Sequence, residues 1–301
     1  MTLDFTKTIA NWRNLVRPRA SELAETRAQL HWAAQLVAAL GATLTPARDD
    51  LSHTSLVWSH SEDGLFSHAS ATEPSVRALL HFPEPRIDLF REQGGGTDKR
   101  VASIALEGLS FAEAQAALEA SVAEQIGRMV RLERPRHELP EHPLDPAGEG
   151  AAFGGWSQLA LDELTRWYAN GALALAELRS HDARAGEVLC WPHHFDIATL
   201  IAVERERPDE PTSPVVRSVG VGMTPGDGSY ADAYWYVNCW PLPSPETKLP
   251  ALAGGGIWHR EGWVGGVLTA TALRDPQAEK FAAFMGSAIA ACERLIEVHD
   301  E

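Results

Sequence analysis

The sequence predicts an α+β fold of two similar halves, each an antiparallel sheet flanked by an N-terminal and a C-terminal helix. Three observations carry that expectation. Apolar residues recur at helical spacing near the start and the end of each half. Short β-like runs lie between those stretches, separated by glycine and proline turns. A segment rich in proline and glycine then divides the chain, after which the same order of elements begins again. The expected divisions are a first half over residues 1–132, a linker over 133–155 and a second half over 156–301.

The first helix is predicted from Pro18 to Leu40, where Leu23, Leu30, Ala33, Ala34, Val37 and Leu40 follow helical spacing and Gly41 offers a stop. Strands are expected at 51–60, 65–70, 76–82, 86–90 and 100–106, with turns at Asp63-Gly64, Pro83 to Pro85 and Gly94-Gly95-Gly96. Ser110 and Glu113 make a capping box ahead of Ala114, Leu118, Val122, Ile126 and Met129. The linker lacks apolar periodicity and holds Pro135, Pro140, Pro143 and Pro146 with Gly148, Gly150, Gly154 and Gly155.

In the second half, a helix from Ser157 carries Leu164, Trp167, Tyr168, Leu175 and Leu178 on one face. Strands fit 187–192, 195–203, 215–223, 233–240 and 263–271, with turns at Gly226-Asp227-Gly228 and Gly254-Gly255-Gly256. Asp275 as cap and Pro276 at the first position open the closing helix, whose stripe runs Phe281, Phe284, Met285, Ala288, Cys292 and Leu295.

Composition narrows the function classes. A hydrophobic fraction of 45% with 22% charged residues is that of a globular chain, long enough for one large domain or two lobes. Its 26 basic residues against 41 acidic ones give a net charge of −15, which repels phosphate backbones and anionic lipid, so neither a nucleic-acid nor a membrane partner is expected. Cys190, Cys239 and Cys292 are odd in number and lie far apart, as reduced thiols of a cytoplasmic protein would. Residues 1–7 lack the apolar stretch of a signal peptide, and the longest uncharged apolar run, Phe281 to Cys292, is too short to span a bilayer.

Several blocks resemble the bacterial family called domain of unknown function 5996. They are Leu30-His31 with Gln35 and Val37; His53 with Leu56 and Gly64-Leu65; Phe195-Asp196-Ile197-Ala198; Gly222-Met223-Thr224-Pro225-Gly226 with Tyr234, Trp235 and Tyr236; and Asp275-Pro276 with Phe284 and Ser287. The blocks span nearly the whole chain, and the resemblance implies no activity. The chain departs from the family pattern at Asp49-Asp50-Leu51-Ser52 and at His193-His194.

The candidate site residues are polar groups set in apolar segments. His31 and Gln35, four apart on a helix, share a side and can bind one ligand together or tie the helix to a strand. His53 heads a strand after a polar run, as a rim residue or a solvated loop residue would. Asp196 between Phe195 and Ile197 requires a partner or a shifted pKa, and strand alternation gives it the side of His194. The alternating strand from Tyr234 to Trp240 presents Tyr234, Tyr236 and Asn238 on one face, to line a pocket or fill a core.

Gly220 to Gly226 reads as a turn rather than a phosphate loop, because Pro225 replaces the third glycine and no helix follows. His137 to His142 has the wrong spacing for a zinc-protease helix. The expected function is recognition of a small polar molecule in a cleft between the halves by His31, Gln35, His53, Asp196, Tyr234 and Tyr236, in a protein that can pair as a homodimer through its aromatic surface. As an enzyme it would use Asp196 and His53 as acid and base with no cofactor. The alternatives are a 2-His-1-carboxylate metal-dependent oxygenase built on His194, Asp196 and His259, with Arg274 as a carboxylate anchor, and a non-catalytic assembly or structural protein.

Overall fold

The structure, a computed structural model, describes residues 4–17, 20–93, 97–137, 139, 150–210 and 212–297. The expected turn at Gly94-Gly95-Gly96, the helix start at Pro18 and the linker residues Pro140, Pro143, Pro146 and Gly148 lie outside them. Five helices and eleven strands follow in chain order: α1 (Thr6–Ala10), α2 (Ala20–Leu44), β1 (Leu56–Ser59), β2 (Gly64–Ser67), β3 (Val76–His81), β4 (Arg86–Gln93), β5 (Thr97–Ala105), α3 (Phe111–Ile126), α4 (Gln158–His181), β6 (Leu189–Trp191), β7 (Asp196–Arg205), β8 (Val215–Thr224), β9 (Tyr234–Trp240), β10 (Ile257–His259), β11 (Gly265–Thr269) and α5 (Gln277–Glu297). The chain is mixed helix and antiparallel sheet.

It divides into two compact units that interleave along the sequence. The α2 unit comprises Val16–Ala169 and Leu189–Phe195; the α5 unit comprises Met1–Leu15, Asn170–Val188 and Asp196–Glu301. These units follow spatial proximity, whereas the halves at 1–132 and 156–301 follow element order.

In the α2 unit the strands hydrogen-bond in the order β6-β1-β2-β3-β4-β5, each pair antiparallel. Helix α2 packs on β2 and β3, while α3 packs on β4 and β5. Leu30, Leu36, Leu40 and Leu56 are fully buried beside an aromatic cluster in which Phe82 lies 5.2 Å from Trp58 and 5.0 Å from Tyr168, and Tyr168 lies 5.2 Å from Phe195. Burying each such side chain contributes roughly 1.5–3 kcal/mol. The capping box forms as expected: Ser110 accepts from the Glu113 amide and Glu113 reaches back to the Ser110 amide.

Two local expectations are corrected in this unit. Gly41 does not stop the helix, since α2 continues to Leu44. Instead, its missing side chain makes room for a neighbouring backbone: a Cβ at Gly41 would stand 2.5 Å from the His53 carbonyl oxygen. The polar run Ser52-His53-Thr54 is a 3-10 turn rather than the start of a strand, with Thr54 N–H donating to Leu51 and Ser55 N–H to Ser52.

In the α5 unit the order is β10-β11-β9-β8-β7, again antiparallel throughout. Helix α5 packs on β8, β9 and β11, and its Phe281 sits 4.3 Å from Trp235 and 5.1 Å from Trp12. The short helix α1 has no side-chain cap from its N-cap residue, Phe5. Its first amide, Thr6 N–H, donates to Asp4 at 2.9 Å, and the next two donate to Glu177 on α4, Lys7 at 2.8 Å and Thr8 at 2.7 Å, with the Thr8 hydroxyl at 2.6 Å. Gly220 and Gly222 lie within strand β8 rather than in a turn, which begins only after Thr224. Side chains there would collide with Asn238 and Tyr236 on the paired strand.

Cys190, Cys239 and Cys292 are buried thiols not joined in disulfides. Among the described residues no helix is long and apolar enough to cross a membrane. One prediction follows from the Gly41 contact. Helix propensity alone would make Gly41→Ala stabilising by about 1 kcal/mol, but the clash with a backbone carbonyl reverses the sign. Urea unfolding is expected to show a loss of roughly 1–3 kcal/mol.

Candidate functional site

The α2 unit builds its polar corner on one carbonyl. Pro192 follows β6, and the chain turns so that Phe195 N–H donates to the Trp191 carbonyl at 2.7 Å, with Phe195 held at φ 55°. A left-handed conformation is costly for a bulky residue, so it persists only where its surroundings impose it. Here the Tyr168 hydroxyl donates to the Phe195 carbonyl, and the His31 ring stacks on the Phe195 ring at 5.0 Å and 4°. The exposed face of that turn is thereby fixed.

The Pro192 carbonyl then accepts two donors from α2, His31 Nε2–H at 2.7 Å and the Gln35 amide nitrogen at 2.6 Å. A carbonyl only accepts, so the Gln35 atom facing it must be the nitrogen. That nitrogen also approaches the His31 carbonyl at 3.3 Å, which leaves Gln35 Oε1 directed at His137 Nε2, 3.2 Å away. Since an amide oxygen accepts, His137 carries its proton on Nε2. In the neutral ring Nδ1 is then the acceptor. Burial, then Arg134, then His194 push the His137 pKa down, so the neutral ring prevails near pH 7.

Gln35 and His137 border a hollow of about 610 Å³ whose other lining residues include Gln115, Arg131, Arg134 and Arg136. Its wall is tied to α3: Gln115 donates to the Leu132 carbonyl at 2.9 Å, and Leu132 N–H donates to Glu119 at 2.8 Å. The Glu133 amide is tied to Thr43 on α2 at 2.9 Å. Arg134 is oriented by aromatic faces, 5.3 Å from Trp32 and 5.7 Å from Phe111. Two more imidazoles continue from His137, with His193 at 5.5 Å and His194 a further 4.3 Å along. Burial first, and the two neighbouring rings after it, depress the His193 pKa to about 4. Among the described residues no group of three or more His, Cys, Asp or Glu side chains is placed to hold a metal ion.

The α5 unit holds a second polar cluster on one face of β9. The Tyr236 hydroxyl donates to Asp196 at 2.5 Å and the Tyr234 hydroxyl to Asp227 at 2.7 Å. Tyr230 Oη lies 3.1 Å from His259 Nδ1, and the His259 ring stacks on Trp263 at 4.4 Å. Burial, then the Asp196 charge, raises the Tyr236 pKa well above its ordinary value; burial, then the hydrogen bond to Asp227, raises that of Tyr234. The Tyr234 and Tyr236 phenols each have a single proton to donate and give it to a carboxylate within the protein. The opposite face of β9, with Trp235, packs against α5.

The expected site residues are therefore distributed. His31, Gln35 and His53 belong to the α2 unit and Asp196, Tyr234, Tyr236 and His259 to the α5 unit. His31 and Gln35 meet at Pro192. His53 is buried in its 3-10 turn, where Nδ1 accepts from the Arg48 amide at 3.1 Å. Of the residues of the metal alternative, His194 belongs to the α2 unit and Asp196 and His259 to the α5 unit. The left-handed Phe195 also breaks the alternation that would give His194 and Asp196 one face, because β7 begins only at Asp196. Arg274 is exposed. The sequence alone did not point to Gln115, Arg131, Arg134 and Arg136, and it presented His137 only within a spacing that fails for a zinc-protease helix. The signal available was the local basic run Arg128, Arg131, Arg134, Arg136 in a chain with 26 basic residues against 41 acidic ones.

No family model, curated protein or solved structure matches this chain.

Two predictions come from this geometry. Tyr236→Phe removes the donor from a buried carboxylate and is expected to lower stability by about 1–3 kcal/mol in denaturant unfolding. The pH dependence follows from His193: between pH 6.5, the ordinary value, and about 4, the unfolded chain binds a proton at this ring that the folded chain refuses. Stability therefore falls as pH drops through that window. His193→Gln should retain on the order of 1 kcal/mol more stability than wild type at pH 4.5 relative to pH 7, a figure reduced from the full shift because the ring is only half-buried.

Proposed function

We propose that the protein binds a small polar molecule in the hollow beside Gln35 and His137. The observation that carries this reading is a concavity of about 610 Å³, within the size range of small-ligand sites, bordered by a buried amide whose orientation is set from behind. Gln35 is 1% exposed and fixed by Pro192, so the His137 tautomer it selects is present before any ligand arrives. A neutral imidazole with Nδ1 as acceptor can take a hydrogen bond from a ligand hydroxyl, or a proton from it. The resemblance to domain of unknown function 5996 implies no activity and adds nothing to this reading.

The test is native mass spectrometry of the full chain against a panel of sugars, amino acids, nucleosides and small organic acids. At least one class is expected to be retained by wild type. Its affinity should fall about tenfold or more in His137→Ala/Gln115→Ala, a variant of half-buried side chains, with an unchanged melting temperature. Retention of no member of the panel, or equal retention by the variant, would sink the proposal.

A further inference from the structure

Three arginines converge on the hollow of an acidic protein. Arg131, Arg134 and Arg136 all line it, in a chain of net charge −15. None of them forms an ion pair with a carboxylate among the described residues, where the salt bridges of this unit engage Arg77, Arg86, Arg100 and Arg166. Two acidic groups beside the hollow among the described residues do not neutralise them. Glu119 is engaged by the Leu132 amide and by Gln115, and Glu133, although it borders the hollow, is outside ion-pair distance of all three guanidinium groups. Like charges held close together repel, and among the described residues no carboxylate forms an ion pair with any of the three.

We infer that the hollow takes an oxyanion, a carboxylate or phosphate group on a small molecule, held by Arg131, Arg134 and Arg136. This rests on the reading of the hollow as a small-molecule site and names the chemical class of its ligand. The guanidinium group is suited to the task because its planar fork donates two parallel hydrogen bonds to one oxyanion. Arg134 is already steered by the faces of Trp32 and Phe111, which lowers the entropy lost when it closes on a ligand. Gln115 and Gln35 tie the walls, and His137 Nδ1 supplies an acceptor for a hydroxyl on the same molecule.

The charge pattern also sets the length of the ligand. A polyanion such as a nucleic acid would extend beyond the arginines onto a chain of net negative charge and be repelled there, whereas a single oxyanion on a compact molecule need contact only the three arginines. Selectivity is thus for small anions over long ones.

The test uses the full chain, titrated separately with inorganic phosphate, malonate and sorbitol, and followed by isothermal titration and by amide chemical shifts. The expected result is that phosphate or malonate shifts the amides of 131–137 and the side-chain amides of Gln35 and Gln115. The Kd of that anion should rise about tenfold or more in Arg131→Gln/Arg136→Gln. This variant leaves the stacked Arg134 in place, so folding is expected to be kept, and its melting temperature checks this. Preference for phosphate identifies a phosphorylated ligand and preference for malonate a carboxylate. Anion binding that is undiminished in the variant would place the anion elsewhere and overturn the inference. If sorbitol shifts these amides and neither anion does, the anion class is wrong while the small-molecule site stands. If no probe shifts them, both fail together.

Discussion

The carbonyl of Pro192 is the constraint on which the polar architecture of the α2 unit depends. It faces two donors from the same helix, and because it can only accept, it dictates which end of the Gln35 amide points away. That choice passes to His137 as a choice of tautomer, so one backbone oxygen determines which ring nitrogen is left to act. The carbonyl is itself immobilised by the turn to Phe195, which Tyr168 and His31 hold from two sides. A proline at this position has no N–H to satisfy, which leaves its carbonyl as the group the turn presents.

The two units treat their buried polar groups differently. In the α5 unit the phenols of Tyr234 and Tyr236 give their protons to Asp227 and Asp196. In the α2 unit the fully buried Asp88 is likewise satisfied by Ser103, His81, Arg86 and Arg100, which outweigh the burial that opposes its charge and leave its pKa below the ordinary value. Around His137, by contrast, Gln35, Gln115 and three arginines border a concavity. That contrast, rather than the presence of histidine or carboxylate as such, separates a network that stabilises from one that can recognise.

Much of the architecture was legible because it is local. The Ser110 and Glu113 box, the apolar stripe of α5 and the alternation of β9 are all encoded within a few residues of where they act. What escaped depends on distant parts of the chain. Gly41 resembles a helix stop by the local rule, and only the arrival of the His53 carbonyl explains why it stands inside α2. Helix α1 is capped by Glu177, about 170 residues away in sequence. At the site, the pairing of His31 with Gln35 could be read from helical spacing, but their shared acceptor could not. His137 and its arginines lie where proline and glycine suggested only a linker, and a segment without periodicity gives no sign that it walls a hollow.

The interrupted course of the α2 unit has a consequence for how the protein is made. Helix α2 leaves the ribosome with His31 and Gln35 on it, yet the oxygen that accepts from both belongs to residue 192, 157 positions after Gln35. Until the peptide around β6 has been synthesised and returned, these two side chains lack the acceptor they share in the finished fold. The polar corner is therefore a late event in biogenesis, completed by a seven-residue visit, 189–195, to a unit whose main body is already translated.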